Sequence, residues 1–268
     1  PIFSAALDLP DADLDLALQH VLVGRADLVD VSLVARTREG RLLPSRINGK
    51  LAGAPFRARA ELDLRGDAPS AKLDLHTGEI DVGLLLRGLG IADDIDGRAQ
   101  ALQFTLQGRG NTLREFAEHA AAEARVAGGS LTVLGAALRP VTEIRVNVAT
   151  FGAAAGEPIR GRLDGTIDQT PVKIELSSGS FAGFAGYSTR LPFALAAHAA
   201  STRLALEGAV TLPLGSAAQL TLQIGGERLD TLNDLARVEL PAWGPWSLRG
   251  AIRKTPSGYE LQGLLLDV

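Results

Sequence analysis

The chain has 268 residues, enough for a substantial core, with 46% hydrophobic residues but only 4% aromatics, so its apolar surface is almost wholly aliphatic. A formal net charge of −4 with no basic patch argues against a nucleic-acid surface. The absence of cysteine excludes disulfides, thiolate zinc sites and thiol nucleophiles.

Thirty glycines fall between alternating runs, as many short strands joined by turns require. No run approaches the roughly 18 to 20 apolar residues of a membrane span, and no signal-peptide pattern opens the chain. It begins at Pro1 and holds no methionine, so it is expected to be a segment of a longer protein. Any anchor or address is then expected outside residues 1–268.

From Asp11 to Leu22 the pattern alternates, with Leu14, Leu16, Leu18 and Leu22 sharing one face. A second run sets Asp27, Val29, Val31, Leu33 and Ala35 on one parity. The clearest strand is Pro55 to Arg65: Phe56, Ala58, Ala60, Leu62 and Leu64 face one way, and Arg57, Arg59, Glu61, Asp63 and Arg65 the other. Such a strand is half-buried in an antiparallel sheet. Lys72 to Leu75 is predicted as a strand, Ile80 to Leu89 as a short helix stopped at Gly90, and Asp93 to Gly97 as a turn.

Next comes a strand with Leu102, Phe104 and Leu106 on one parity and Gln103, Thr105 and Gln107 on the other, ended by Gly108 and Gly110. Thr112 and Glu115 have capping-box spacing, and Leu113, Phe116, Ala117, Ala120, Ala121 and Ala124 recur at helical spacing, which predicts an amphipathic helix running to Ala124. A strand from Ser130 to Leu134 follows Gly128-Gly129. Further strands are predicted at Glu143 to Val148, Ile159 to Ile167, Pro171 to Leu176, Arg203 to Leu212, Leu220 to Ile224, Trp246 to Ile252 and Tyr259 to Leu266. Turn-rich segments run from Ser177 to Ser180 and from Ala182 to Gly186, and a third helix is predicted from Leu229 to Ala236.

The two halves resemble each other. At an offset of 116 residues, Phe104-Thr105-Leu106-Gln107 falls on Leu220-Thr221-Leu222-Gln223, Gly110 on Gly226, Leu113 on Leu229 and Phe116 on Leu232. The same offset sets Pro55 to Ala58 on Pro171 to Ile174, and the stretch from Ile47 to Gly53 looks like that from Ile159 to Gly165. Matched blocks in one order indicate a repeat. Two related β modules are expected, 1–137 and 138–268, either separate or as one continuous sheet.

Residues that could carry chemistry are isolated. His20, His76, His119 and His198 lack a second ligand at metal spacing. His119 is expected in solvent beside Glu115 and Glu118, and His20, of one parity with Leu16 and Leu18, on the apolar side. Asp94-x-Asp96-Gly97 resembles part of a calcium loop, but Ala92 and Gln103 stand where its first and last ligands belong. Gly108-Arg109-Gly110 is a turn without the rest of a phosphate motif, and no catalytic fingerprint is present. Neither enzymatic activity nor a cofactor or metal is expected.

What remains is architecture. More than ten half-apolar strands must cover their apolar faces with only three short helices, so either two sheets form a β-sandwich or a curved sheet leaves an aliphatic trough. A wall of Leu, Val, Ile and Ala suits flexible acyl chains.

Gly-x-Leu/Ile-x-Gly, then proline with an alternating strand, then a turn-helix, is similar to the AsmA family of periplasmic proteins and their TamB relatives. Leu229-x-x-Leu232-x-x-Leu235, followed by the stretch from Leu240-Pro241 to Gly250, looks like that family's helix, Leu-Pro corner and return strand. In the first half, Gly108-x-Gly110-x-x-Leu113 and Gly128-Gly129-Ser130-Leu131 resemble its glycine, helix and return-strand unit. The resemblance implies a large protein tethered to the inner membrane, with a periplasmic, extended and repetitive β structure bearing an apolar groove. Such proteins are associated with moving phospholipids towards the outer membrane, or with outer-membrane assembly.

The expected fold is therefore mainly β, an extended, curved antiparallel sheet forming an apolar groove, capped by a few short amphipathic helices. Phe56, Leu62, Leu64, Leu102, Phe104, Leu106, Leu204, Leu206, Leu220, Leu222 and Ile224 are the candidate groove lining. The expected ligand is phospholipid or another acyl-chain lipid. The alternative function is an interaction module for outer-membrane protein assembly, which pairs its sheet edges with client strands around a closed core.

Overall fold

The structure, a computed structural model, describes residues 10–23, 26–65, 67–93, 95–133, 144–167, 169–183, 190–211, 217–233, 239–255 and 258–268. Asp94, Leu134, Glu143, 184–186, Leu212 and Leu235-Ala236, which figure in the sequence expectations, lie outside these residues.

In the first half, β1 (Ala12–Val23), β2 (Ala26–Arg38), β3 (Arg41–Leu51), β4 (Ala54–Asp63) and β5 (Ser70–Thr77) lead to the short β6 (Ile80–Asp81) and helix α1 (Val82–Gly88). They are followed by β7 (Ile95–Arg109), helix α2 (Leu113–Glu118) and β8 (Ala121–Val133). The second half holds β9 (Ile144–Ala153), β10 (Arg160–Ile167), β11 (Thr170–Ser178), β12 (Arg190–Ala199), β13 (Thr202–Thr211) and β14 (Ala217–Gly226). A 3-10 turn (Leu229–Leu232) then precedes β15 (Trp246–Thr255) and β16 (Gly258–Asp267).

All sixteen strands belong to one open antiparallel sheet. Each strand pairs with the next in the chain, except that β6 sits beside β7 at the end of β5's path. Because every connection returns to the adjacent strand, the chain builds one layer that keeps extending, and the sandwich alternative is not adopted. The sheet is continuous across the expected module boundary, where Val126 of β8 stands opposite Ala149 of β9. Fourteen inter-strand steps at about 4.8 Å make it roughly 67 Å long.

The sheet curls. Leu28 of β2, Leu51 of β3, Phe56 of β4, Ala99 of β7 and Val126 of β8 meet in one hydrophobic cluster, although β2 and β7 would stand about 19 Å apart in a flat sheet. A line of irregularities crosses the neighbouring strands and promotes the bend. It passes Gly78-Glu79 between β5 and β6, the unpaired Gln100 and Gly128 (φ +65°), and the register shift at Asp164/Gly165. A register shift like that at Asp164/Gly165 sharpens local twist. The irregularities also switch the parity of the buried side, so Ala99 and Val146 are buried just as Leu102 and Ala149 are.

Helix α1 closes the cluster. Asp81 caps it by accepting from the Leu84 N–H (2.7 Å), Arg87 reaches Asp96 (2.6 Å), and Val82 and Leu85 pack on the cluster. Phe56 lies over Gly49, whose absent Cβ would fall 2.9 Å from the Phe56 ring. Phe116 covers Gly108 and Phe151 covers Gly161 in the same manner. Three phenylalanines thus sit on glycines of adjacent segments.

The capping box is present, but its helix is short. The Glu115 N–H donates to Thr112 Oγ1 (3.1 Å) and the Asn111 N–H to Glu115 Oε2 (2.8 Å), yet α2 ends at Glu118 and Ala121 already opens β8. The expected helix to Ala124, and a following strand that begins only at Ser130, are corrected. Alanines at 117, 120, 121 and 124 satisfy a helical period. However, Ala122, Ala124 and Val126 against Glu123 and Arg125 also alternate, and hydrogen bonds to both β7 and β9 decide the matter. At the matching place in the second half the 3-10 turn leads into a helical Asn233, the last described residue there, and Arg228 at its N-terminus provides no side-chain cap. The predicted turn at Asp93 to Gly97 is also shorter, since β7 begins at Ile95. Strands β3 and β12 were not anticipated.

The repeat is not a rigid one. One full strand separates β4 from β7, whereas two separate β11 from β14. The matched strands β7 and β14 consequently run in opposite directions relative to β4 and β11.

Gly110 has φ +154° and donates its N–H to the Pro69 carbonyl (2.8 Å), while a Cβ there would lie 2.4 Å from the Phe116 nitrogen. Gly110→Ala should therefore cost at least about 2 kcal/mol. Chemical denaturation of the variant beside wild type measures this.

Candidate functional site

The register determines which candidates share a face. One cross-strand row runs Ala58, Leu75, Phe104, Ala124, Phe151, Gly161, Leu176, Leu195, Leu206, Leu222. The neighbouring row runs Leu102, Val126, Ala149, Leu163, Ile174, Ala197, Leu204, Ile224, Leu248. Leu106 falls on the same side one row further out and Leu62 two rows out, and Leu220 faces Gly208 and Ile252. All eleven candidates thus stand on one aliphatic face, continuous from β4 to β14, with Leu64 just beyond the end of β4.

They differ in cover. Phe56 (4% exposed) and Leu102 (8%) are sealed in the cluster beneath α1, and Leu222 (7%) is closed over by its neighbours. The other eight, Leu62, Leu64, Phe104, Leu106, Leu204, Leu206, Leu220 and Ile224, are half-buried. Among the described residues no second sheet covers them, and the second buried cluster is confined to Val146, Ala149 and Leu163. The face is a curled aliphatic surface, shielded by curvature and open to something flexible. Helices α1 and α2 stand at opposite strand ends and form parts of its two rims.

Phe151 is the member that sequence reasoning missed. It projects from the middle of the face and is 37% exposed. Its alternation with Ala149 was visible, but the parity change after Val146 broke the pattern. Leu176 and Leu195 also belong to the face; the alanine-rich β12 hid the latter.

The opposite face is polar. Two open clefts of about 630 and 590 Å³ lie on it. Lys72, Asp74, Thr105, Gln107, Glu123 and Arg160 line the first, and Arg41, Glu61, Asp63, Arg109 and His119 the second. Charges there are largely taken up locally, as in Arg162–Asp164 (3.4 Å) and Lys72–Asp74 (3.9 Å). The Arg65 guanidinium and backbone N–H donate to Asp63 and hold its carboxyl at about 2. Lys50 donates to Asp30 (2.8 Å) and lowers that carboxyl's pKa.

His20 is exposed and pairs with Asp27 (3.1 Å), because the apolar side of β1 is open. His119 is exposed as expected, with Nδ1 2.8 Å from the Glu115 carbonyl. Asp96 is engaged by Arg87. No three His, Asp or Glu side chains converge among the described residues, and no described helix is long and apolar enough to cross a membrane. Comparison with protein-family models, with curated proteins and with solved structures finds no match to this chain.

Proposed function

We propose that this chain is a lipid-conducting segment without enzymatic activity, similar in role to AsmA-like proteins, which carries phospholipid acyl chains through the periplasm between inner and outer membrane. The observation that supports this is the unbroken aliphatic face on one side of a single curled sheet, half-open from Leu62 to Ile224. Acyl chains rest along that face because each square ångström of apolar surface withdrawn from water contributes about 25 cal/mol. Movement is passive: neighbouring rows offer equivalent leucines, so no position holds a chain much more tightly than the next. Head groups remain in water along the rims.

The alternative, an assembly module that engages client strands around a closed core, has less support, because the buried clusters cover only part of the apolar face. Purified protein should carry phospholipid detectable by mass spectrometry and should bind a fluorescent fatty acid. A protein that is lipid-free and also rejects the probe would sink the proposal.

A further inference from the structure

The register assembles a basic patch on the polar face that no run of sequence shows. Arg46 of β3 stands directly opposite Arg59 of β4, and Arg57 lies two residues along β4 on the same side, between Asn48 of β3 and His76 of β5. All three arginines are exposed, and among the described residues none of their guanidiniums has an ion-pair or hydrogen-bond partner. The acids around them are engaged elsewhere: Asp30 by Lys50 (2.8 Å), Asp63 by Arg65 (3.0 Å), and Asp74, opposite Arg59, by Lys72 (3.9 Å). Glu61 stands opposite the same lysine. Like charges directly opposite in a ladder destabilise it. The sheet cannot slip to relieve them, because Ile47 and Ala58 between them belong to the α1 cluster and a one-residue shift would turn the arginines into the aliphatic face. A repulsive pair is thus held in place with nothing beside it to neutralise it.

We propose that Arg46, Arg57 and Arg59 form a binding site for a terminal phosphate, either free inorganic phosphate or a lipid head group that ends in a phosphomonoester. The chemistry follows from the geometry. Side chains opposite each other in an antiparallel pair start about 5 Å apart, so the Arg46 and Arg59 forks can converge on one small anion. Arg57, about 7 Å along the strand, is long enough to reach the same point. A guanidinium fork matches a pair of phosphate oxygens. A terminal phosphate has three free oxygens, arranged to receive donors from three directions, whereas a carboxylate has two in one plane and leaves a fork unmet. Its charge of about −1.5 to −2 also offsets the repulsion between Arg46 and Arg59 better than the single charge of a carboxylate. Asn48, whose amide donates to Ser32 Oγ (3.5 Å), and His76 add polar groups at the margin. The site lies on the face opposite the aliphatic one and does not rest on acyl-chain binding.

Isothermal titration of the full chain with inorganic phosphate at low ionic strength should show binding, and phosphate should raise the melting temperature more than chloride at equal ionic strength. Arg46→Gln combined with Arg59→Gln should weaken binding at least about tenfold. Both positions are exposed, so the double variant should keep its far-UV circular dichroism and, relieved of the repulsion, melt no lower than wild type in phosphate-free buffer. Arg203→Gln, at an exposed position of β13, is the control and should leave binding unchanged. Flotation with phosphatidylcholine vesicles containing phosphatidic acid, beside vesicles containing phosphatidylglycerol instead, separates the sources. Phosphate binding without flotation assigns a free phosphate. Flotation that prefers phosphatidic acid and is lost in the double variant assigns a head group. A chain that binds neither inorganic phosphate nor phosphatidic acid vesicles overturns the proposal. So does binding that the double variant retains, or that Arg203→Gln weakens as much.

Discussion

Phe56→Ala should destabilise the protein by about 3–5 kcal/mol, seen as a lower urea midpoint with little change in slope. Phe56 is 4% exposed and bridges three elements: its ring covers Gly49 of β3, it lies among Leu51, Ala54 and Leu102, and Val82 and Leu85 of α1 close over the cluster. A curled single layer has few such places where side chains from distant strands meet. The void would remain, because α1 is held by Asp81 and by the Arg87–Asp96 pair and cannot settle into it. Phe104→Ala, on the same face but half-buried, should cost distinctly less. Equal losses at the two sites would mean that the α1 cluster is not what pins the curl.

The combined substitution of Leu106, Leu206 and Leu220 by glutamine should leave the β signal in circular dichroism in place and deplete bound lipid. The three side chains are half-buried on β7, β13 and β14, so an amide can turn to solvent at each. Losing apolar contact at three places removes about 2–4 kcal/mol of lipid binding, roughly 30-fold to 1,000-fold in affinity. Titration with a fluorescent fatty acid measures it, and unchanged affinity in a folded triple variant would refute the assignment of this face to lipid.

The elements that alternated strongly were legible in the chain. In β4 every inward position is apolar and every position from Arg57 to Asp63 on the other side is charged, and the strand forms at Ala54–Asp63. Strand β3 escaped notice because its inward positions include Ser45 and Gly49, the latter without a side chain so that Phe56 can lie across it. That information resides in a different strand. The stretch after α2 was misjudged because alanine satisfies both periods, and only the ladders to β7 and β9 separate them. The shared parity of the candidate residues could be read locally. Their different cover could not, since it depends on the curl of the sheet and on where α1 comes to rest. Nor does the pattern of β1 show how open its apolar side is: His20, expected on that side, stands there in solvent beside Asp27.

The strict nearest-neighbour order of the strands also bears on how the molecule forms. Each ladder closes a loop only as long as one hairpin, so no strand must wait for a distant partner, and contact order stays low for an all-β chain of this size. Formation can begin at any well-made hairpin and spread outward one strand at a time, with free energy accumulating almost additively along the stack. Inserting or removing a complete hairpin would lengthen or shorten the sheet by about 10 Å without reversing any strand that follows. Span is therefore an adjustable quantity in this architecture, separable from the chemistry of the surface it carries.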